Sequence, residues 1–491
     1  MKSGRGVLGT TTFAAARLLA ALFALSLVLP ERAARAAGDE PAEPGEPTAL
    51  VRTYTLEQAV ADALANHPRL RASAAEESAS EARIDEARTG RLPDVGVSAQ
   101  LNRSTGNTVP GAFFSTTGFA PVAGPTRGKS LDEGVWQTGA SLWATWDVLS
   151  LARQAAAVDV AIAGRSEASA ATAAHRLEIA YRAADAYVVL LEAQEGVRAA
   201  RVNVERGQVL ATVTKSLVDQ ALRPGADLAR AEAELASAQT ILARAEQTRD
   251  VRRAQLAEAI GNTALRVEAA PSGLLGPVDG IAARAAAPSS PSPAHPDIVQ
   301  SNAAITRATE ATRLVDVEFL PRLDLVAALW TRGSGYFQSP ASGLVPDIAN
   351  WAAGATLTWS FLDIPTIRAR ARVASATRDV AVARRDETVL SIAGQLATST
   401  AVLRGALAVA RQTPATLSAA RTAEQQATAR FKTGLAPVVD VADADRVLSQ
   451  AEIDDAVARL EVRRALLLLA RASGDLQPFF TQLRAPNMAG P

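Results

Sequence analysis

The sequence predicts a mainly α-helical chain that is duplicated in tandem, with two membrane-spanning β-strands in each half. Three observations predict this fold class. Landmark residues recur in the same order along the 491 residues, long stretches show coiled-coil spacing, and all six tryptophans lie in short runs of alternating polarity. A unit of helices, two strands and two long helices, present twice, accounts for all three observations.

The first segment, residues 1–36, is predicted to be a secretory signal that is removed from the fold. Basic residues precede an apolar run at 18–29, and residues 34–36 (ARA) form a small-x-small cleavage site. An N-terminal membrane anchor is the alternative, but the run is shorter than the ~20 residues that a spanning helix needs. Removal takes five basic residues and one acidic residue from a balance of 51 against 51, which leaves a net charge of −4.

Four pairs of landmarks indicate a tandem duplication. Their offsets fall from 228 to 213 along the chain, so the first half carries the longer loop. A common order at a nearly constant offset is typical of a duplicated supersecondary unit. The pairs are His67 and His295, Leu92 and Leu320, Trp143 and Trp359, and Asp227 and Asp440.

The duplication predicts domain boundaries and the elements within them. Residues 37–53 form an N-terminal linker, 54–261 the first repeat, 262–292 a second linker, 293–475 the second repeat and 476–491 a C-terminal tail. Strands are predicted at about 93–103 and 135–148 around a loop at 104–134, and at about 321–332 and 350–362 around a loop at 333–349. A helical stretch is predicted from Thr55, which forms a capping box with Gln58, to about Gly90. In the second repeat a helix is predicted to begin at about Asp297. Long helices are predicted at about 151–220, 225–260, 366–433 and 437–471.

The long helices have the spacing of coiled coils. Leu228, Ala231, Leu235 and Ala238 occupy successive a and d positions, and the second repeat has the same pattern. Alanine at these positions lets helix backbones approach closely. A continuous helix of some seventy residues would be about 100 Å long. On the helices alone, a soluble helical bundle remains the alternative.

The predicted strands favour a membrane. Apolar and small or polar residues alternate from Trp351 to Phe361, and such runs reach the ~9–11 residues of a membrane-spanning strand. Tryptophans at strand ends are typical of an interfacial aromatic girdle, whereas the alternative is an ordinary sandwich core. The predicted girdle consists of Trp136, Trp143, Trp146, Trp330, Trp351 and Trp359.

A membrane location predicts an oligomer. No run of eighteen apolar residues follows residue 36, so no transmembrane helix is predicted and the strands must form a closed barrel. Four strands cannot close one, because barrels need at least ~8 strands, and eight leave an interior filled by side chains. Three chains would give twelve strands, the first symmetric assembly with room for cargo.

Several motifs together resemble the TolC-like outer-membrane efflux proteins of Gram-negative bacteria. They are residues 54–60 (YTLEQAV), 66–68 (NHP), 92–93 (LP), 143–147 (WATWD) and 431–444 (FKTGLAPVVDVADA). The resemblance covers nearly the whole mature chain. It implies a homotrimer whose twelve-stranded outer-membrane barrel, with extracellular loops, continues into a periplasmic α-helical barrel. It also implies a passive export duct, opened by a periplasmic adaptor and an inner-membrane efflux pump or ABC transporter.

The resemblance also implies a periplasmic gate at the turn between the last two long helices. Asp440 and Asp443 match the acidic residues that ring the pore there, and three residues of spacing puts them on one helix face. The alternative is that Asp440 only caps the last helix. The first repeat has Asp227 and Arg230 at the corresponding tip positions. Ala221 replaces the turn glycine that is common in the family, which leaves the geometry of this turn open.

Other classes of function find no support in the sequence. The neutral charge gives no footprint for nucleic acid, and the absence of cysteine excludes thiol catalysis and cysteine-ligated metals. The three histidines are far apart, and the P-loop-like run at 124–130 has a residue too few between its glycines. We therefore predict no enzyme, cofactor or metal site. The alternative functions are a periplasmic coiled-coil adaptor or scaffold, and a nutrient porin. The sequence does not identify the exported cargo.

Overall fold

The computed structural model describes residues 51–105, 134–263, 266–270, 273–276, 278, 290–334, 341–346 and 348–484. The predicted signal at 1–36 and nearly all of the loop at 104–134 lie outside these residues. The chain divides into two compact units. One comprises Ile84–Val160 and Glu310–Ala374, and the other comprises Glu46–Arg83, Ala161–Thr309 and Ser375–Pro491.

The described helices begin and end close to the predicted bounds, apart from a last helix at 477–484 in the segment predicted as a C-terminal tail. They are α1 Leu56–Asn66, α2 Pro68–Thr89, α3 Leu151–Asp219, α4 Gly225–Ile260, α5 Pro296–Asp316, α6 Ile364–Lys432, α7 Val438–Ser473 and α8 Gln477–Arg484. The capping box before α1 is confirmed, because the Gln58 amide donates to Thr55 Oγ1 at 3.3 Å and Thr55 N donates to Gln58 Oε1 at 3.0 Å. The helical stretch predicted to about Gly90 is present as two helices, α1 and α2. It breaks at His67, whose backbone is extended before Pro68.

The lengths of the long helices confirm the tandem duplication. Helices α3 and α6 each have 69 residues, and α4 and α7 each have 36. The starts of α3 and α6, Leu151 and Ile364, differ by 213, as do those of α4 and α7, Gly225 and Val438. One supersecondary unit has therefore been copied with its helix lengths unchanged.

The described strands form two sheets. They are β1 Val51–Tyr54, β2 Asp94–Thr105, β3 Gly134–Asp147, β4 Arg266–Ala269, β5 Arg322–Ser334 and β6 Ile348–Thr358. In the first unit, β2, β3, β5 and β6 pair antiparallel in that order. In the second unit, β1 and β4 pair parallel. The antiparallel sheet joins two strands from each repeat, and the parallel pair joins the two segments that flank the first repeat.

The parallel pair was not predicted, since both strands lie in segments interpreted as linkers (37–53 and 262–292). Tyr54 of β1 and Val267 of β4 are 1% exposed and belong to the main hydrophobic core of the second unit. Tyr187 of α3 donates from its hydroxyl to the carbonyl of Ala270 at 3.0 Å. These strands have only four residues each, too few to show a period in the sequence.

The end of the last strand corrects a predicted boundary. Strand β6 ends at Thr358, and Phe361–Asp363 form a single 3₁₀ turn, so Trp359 lies just beyond the strand. Its partner in the landmark pairing, Trp143, lies well inside β3. The landmark offset of 216 exceeds the helix offset of 213 because Trp143 lies eight residues before its long helix and Trp359 only five, so the two tryptophans do not hold equivalent positions.

One described helix, α6, contains a stretch that is long and apolar enough to cross a membrane by length and composition alone. No such helix is predicted from the sequence, because α6 contains no unbroken run of eighteen apolar residues. Only 22% of that stretch is buried. A single helix of this kind is weak evidence of a span, since core helices of soluble proteins pass the same test.

Candidate functional site

The two turns that join the long helices share one geometry. In the first, Leu222 N donates to the Leu217 carbonyl at 2.8 Å; in the second, Leu435 N donates to the Arg430 carbonyl at 2.9 Å. A bond from an amide to the carbonyl five residues earlier is the 6→1 bond of a Schellman motif. We call these two turns, with the first turn of the following helix, the first and second tip.

The alanine of the first tip adopts the same left-handed backbone conformation as the glycine of the second tip. Ala221 adopts φ 57° and its counterpart Gly434 adopts φ 78°, both in the left-handed region. Ala221 is the one non-glycine residue with positive φ in the described part of the chain. An alanine there costs about 1–2 kcal/mol relative to its preferred conformation. The turn geometry that the sequence left open is thus retained at the cost of local strain.

The two predicted gate carboxylates are exposed on the second tip. Asp440 lies in the first turn of α7, where the N-terminal dipole favours a negative charge. The N-cap is Pro437, which makes no side-chain cap, so Asp440 does not hold the position proposed in the alternative interpretation. Asp443 is 66% exposed and lies 3.6 Å from Arg446, a surface pair of small energetic effect.

The first tip presents a different charge pattern. Asp227 is 13% exposed, and its Oδ2 lies 3.9 Å from Arg223 Nη1. Arg230, the counterpart of Asp443, is exposed on the next turn of α4. The structure therefore does not give the first tip an exposed pair of carboxylates.

Arg223 connects the two tips and was missed in the sequence. Its Nη2 donates to the carbonyl of Ala436 at 3.0 Å, and its guanidinium lies 5.2 Å from the centre of the Phe431 ring. Beneath this contact, a small apolar cluster packs the tips together, and Val438 and Val441 of α7 belong to it. No motif marks Arg223, because its partner is a backbone carbonyl 213 residues away.

The four-stranded sheet has one apolar face. Val97, Leu142, Leu329 and Trp351 form one row across all four strands, and directly opposed residues share a face. Their exposed fractions range from 43% to 75%. An apolar surface of this extent marks a protein or membrane contact.

The opposite face is mainly polar. Ser98, Ser141, Trp330 and Asn350 form the corresponding row there. The register therefore divides the six tryptophans. Trp136, Trp146 and Trp351 lie on the apolar face, Trp143 and Trp330 lie on the polar face, and Trp359 follows β6.

Comparison with known proteins decides the family. The model of the outer membrane efflux protein family matches residues 59–262 and 293–475. The chain belongs to this family. It is an outer-membrane efflux channel with a large periplasmic helical part, and the predicted resemblance is confirmed. No curated protein matches the chain.

Solved structures of outer-membrane channels resemble this efflux protein. Campylobacter jejuni CmeC is similar at 16% identity and TM-score 0.70, over 85% of each chain. Vibrio cholerae VceC is similar at 19% identity and TM-score 0.65, over 86% of this chain and 96% of VceC. Neisseria gonorrhoeae MtrE is similar at 20% identity and TM-score 0.65, over 86% of this chain and 89% of MtrE. At these identities the likeness shows the fold, which confirms the predicted fold class.

The efflux protein has a polar cluster formed by residues of α3, α6 and α7; its α7 residues follow the second tip in the sequence. Arg206 of α3 pairs with Glu452 of α7 at 3.2 Å, and the Ser449 hydroxyl donates to Asn203 at 3.1 Å. Burial, and after it the negative charge of Glu424, raise the pKa of Asp445 on α7 to about 6, while Arg206 opposes this rise. This cluster is not predictable from the sequence, because no motif or spacing distinguishes Asp445 from other acidic residues of the helix.

Proposed function

We propose that this efflux protein is a passive, trimeric export duct that works with a periplasmic adaptor and an inner-membrane pump or ABC transporter. The two-faced sheet carries the proposal. Its apolar face would contact outer-membrane lipid and its polar face would line the pore. Trp136 and Trp146 lie near opposite ends of β3, as two interfacial levels require, and Trp351 and Trp359 complete a reduced girdle.

The open edges of the sheet support a trimer. Within the described residues, β2 and β6 each pair on one side only. Unpaired strand edges are not tolerated in lipid, so each would pair with the other edge of a neighbouring copy. Three copies give the twelve strands that leave a lumen.

The second tip supplies the proposed gate. In a trimer, Asp440 and Asp443 would place six carboxylates around the narrow periplasmic aperture, which attracts cations and repels anions. The Arg223 contact would hold the second tip against the first, so opening would have to break it. Asp227 would act by holding Arg223 in this contact, and not as a carboxylate that faces the pore.

The boundaries of the repeats belong to the same proposal. The family match at 59–262 and 293–475 supports repeats at 54–261 and 293–475. Residues 1–36 stay a predicted signal outside the described residues. An adaptor is not favoured, since adaptors carry one helical hairpin and this chain has two related helix pairs. A nutrient porin is not favoured, because most of the chain is helical.

Two experiments test the proposal. The purified protein in a planar bilayer should conduct, and a protein that never conducts would refute the duct. The trimer is tested with cysteine pairs, one on β2 and one on β6, scanned along both edges of a chain that has no native cysteine. Oxidation should produce a trimer on a denaturing gel. Single-cysteine variants are the control, and a uniform monomer across the scan would contradict the assembly.

A further inference from the structure

An apolar patch interrupts the polar face of the four-stranded sheet. Trp143, Ala328 and Ala352 are directly opposed on β3, β5 and β6. Val326 and Trp330 lie on either side of Ala328 on the same face of β5, and Val326 is 40% exposed. We call these five residues the inner patch. Neighbouring positions of this face carry serine, asparagine and glutamine, so the patch is local.

The inner patch is rigid on the side of Trp143. The indole Nε1 donates to Ser98 Oγ at 3.2 Å. The ring lies directly on Gly96, where any Cβ would collide with it. A glycine at this position is what allows the ring to lie across β2. The indole is thus fixed in place, as a recognition surface must be.

Polar atoms without partners flank the other indole. Ser141 and Asn350 are the two cross-strand neighbours of Trp330. Ser141 is 1% exposed, and both its hydroxyl and the Asn350 Nδ2 are buried without a hydrogen-bond partner in the structure. Buried polar groups of this kind are rare, and a bound polar group would satisfy them.

Carboxylates border the inner patch on one side. Asp94 stands in the same row as Val326, across Thr145, and Asp324 precedes Val326 by two positions on the same face. Arg332 stands beyond Trp330 on the other side. A planar aromatic molecule whose positive charge is delocalised over its rings fits this order, with the charged rings on the indoles and one edge toward the carboxylates.

We propose that the inner patch is a transient binding site for amphipathic aromatic cations in the pore of the β-barrel. This inference rests on the proposed function, because only in a closed barrel does the polar face line a lumen. Trp143 and Trp330 would then contact cargo instead of lipid. In a trimer, three such patches would face the same lumen.

Block of the channel by ethidium tests the proposal. Ethidium is added in turn to each side of the bilayer. We expect concentration-dependent block in the wild-type channel. Trp330→Ala should raise the half-blocking concentration about 2- to 30-fold, the range that loss of one cation–π contact predicts. Asp324→Asn should raise it in the same direction.

The controls separate this inference from the proposed function. Trp351→Ala, on the apolar face, should leave block unchanged, and 8-anilinonaphthalene-1-sulfonate, an aromatic anion, should block less than ethidium. A wild-type channel that conducts with equal block in Trp330→Ala would overturn the inner patch and leave the duct intact. If Trp330→Ala does not conduct, unchanged block in Asp324→Asn overturns it. A wild type that never conducts refutes the duct and the patch together.

Discussion

Arg223 donates a hydrogen bond to the backbone carbonyl of Ala436 at 3.0 Å, and so joins the first tip to the second across the duplication. Because the acceptor is a backbone carbonyl, a substitution at position 436 does not remove it. Control of this contact therefore resides in the arginine. The proposed gate combines this contact with the exposed carboxylates of the second tip.

Loss of the arginine should open the channel. A hydrogen bond to a charged group contributes about 1.5–3 kcal/mol, so Arg223→Ala should shift the closed-to-open equilibrium roughly 10- to 100-fold. The measurement is the resting conductance of single channels in a planar bilayer. Arg230→Ala, at an exposed arginine near the start of α4, is the matched control. Equal resting conductance in Arg223→Ala and wild type would contradict the role of this contact.

Removal of the gate carboxylates should weaken discrimination between ions. In Asp440→Ala with Asp443→Ala, we expect cation selectivity to fall toward unity and block by divalent cations to weaken, because the ring loses its negative charge. Reversal potentials in a salt gradient measure the first effect. Asp454→Ala, an exposed acid further along α7, should change neither. Unchanged selectivity in the double variant would remove both residues from the gate.

Ionisation of Asp445 should destabilise the helical unit. Its folded pKa is about 6 and its ordinary value is 3.8, so the folded state favours the protonated form. The stability that the folded state gains from this protonated form is fully present at pH below about 4 and is lost as the pH rises through about 6. We expect Asp445→Asn to raise the Tm at pH 8, and this gain to shrink by pH 4. Thermal unfolding in detergent across this range checks it; a gain independent of pH would contradict the assignment.

Glycine should relieve the strain at the first tip. Ala221→Gly removes about 1–2 kcal/mol of left-handed strain and adds about 0.5–1 kcal/mol of backbone entropy cost, for a net gain of about 0.5 kcal/mol. Gly434→Ala is the reverse change. An added Cβ there meets no atom within 4 Å, so its effect on the free energy of unfolding is purely conformational. Denaturant unfolding measures both, and a destabilised Ala221→Gly variant would contradict the argument.

The sequence by itself determined the elements whose signal is local and repeated. The lengths of α3, α4, α6 and α7 follow from heptad spacing sustained over many helical turns. The geometry of the first tip did not follow from the sequence, because alanine stands there at the position of the turn glycine. The duplication and the motifs led to the family. The predicted girdle followed from the position of the tryptophans in short strands.

Only the tertiary structure decided which residues meet across long separations. The register of four strands put Trp143 and Trp330 on the polar face, while Trp136, Trp146 and Trp351 share the apolar face. Packing of one tip on the other gave Arg223 its carbonyl partner. A period of two or of 3.6 fixes the face of a single element, but the neighbour of that face depends on contacts that leave no periodic trace in the chain.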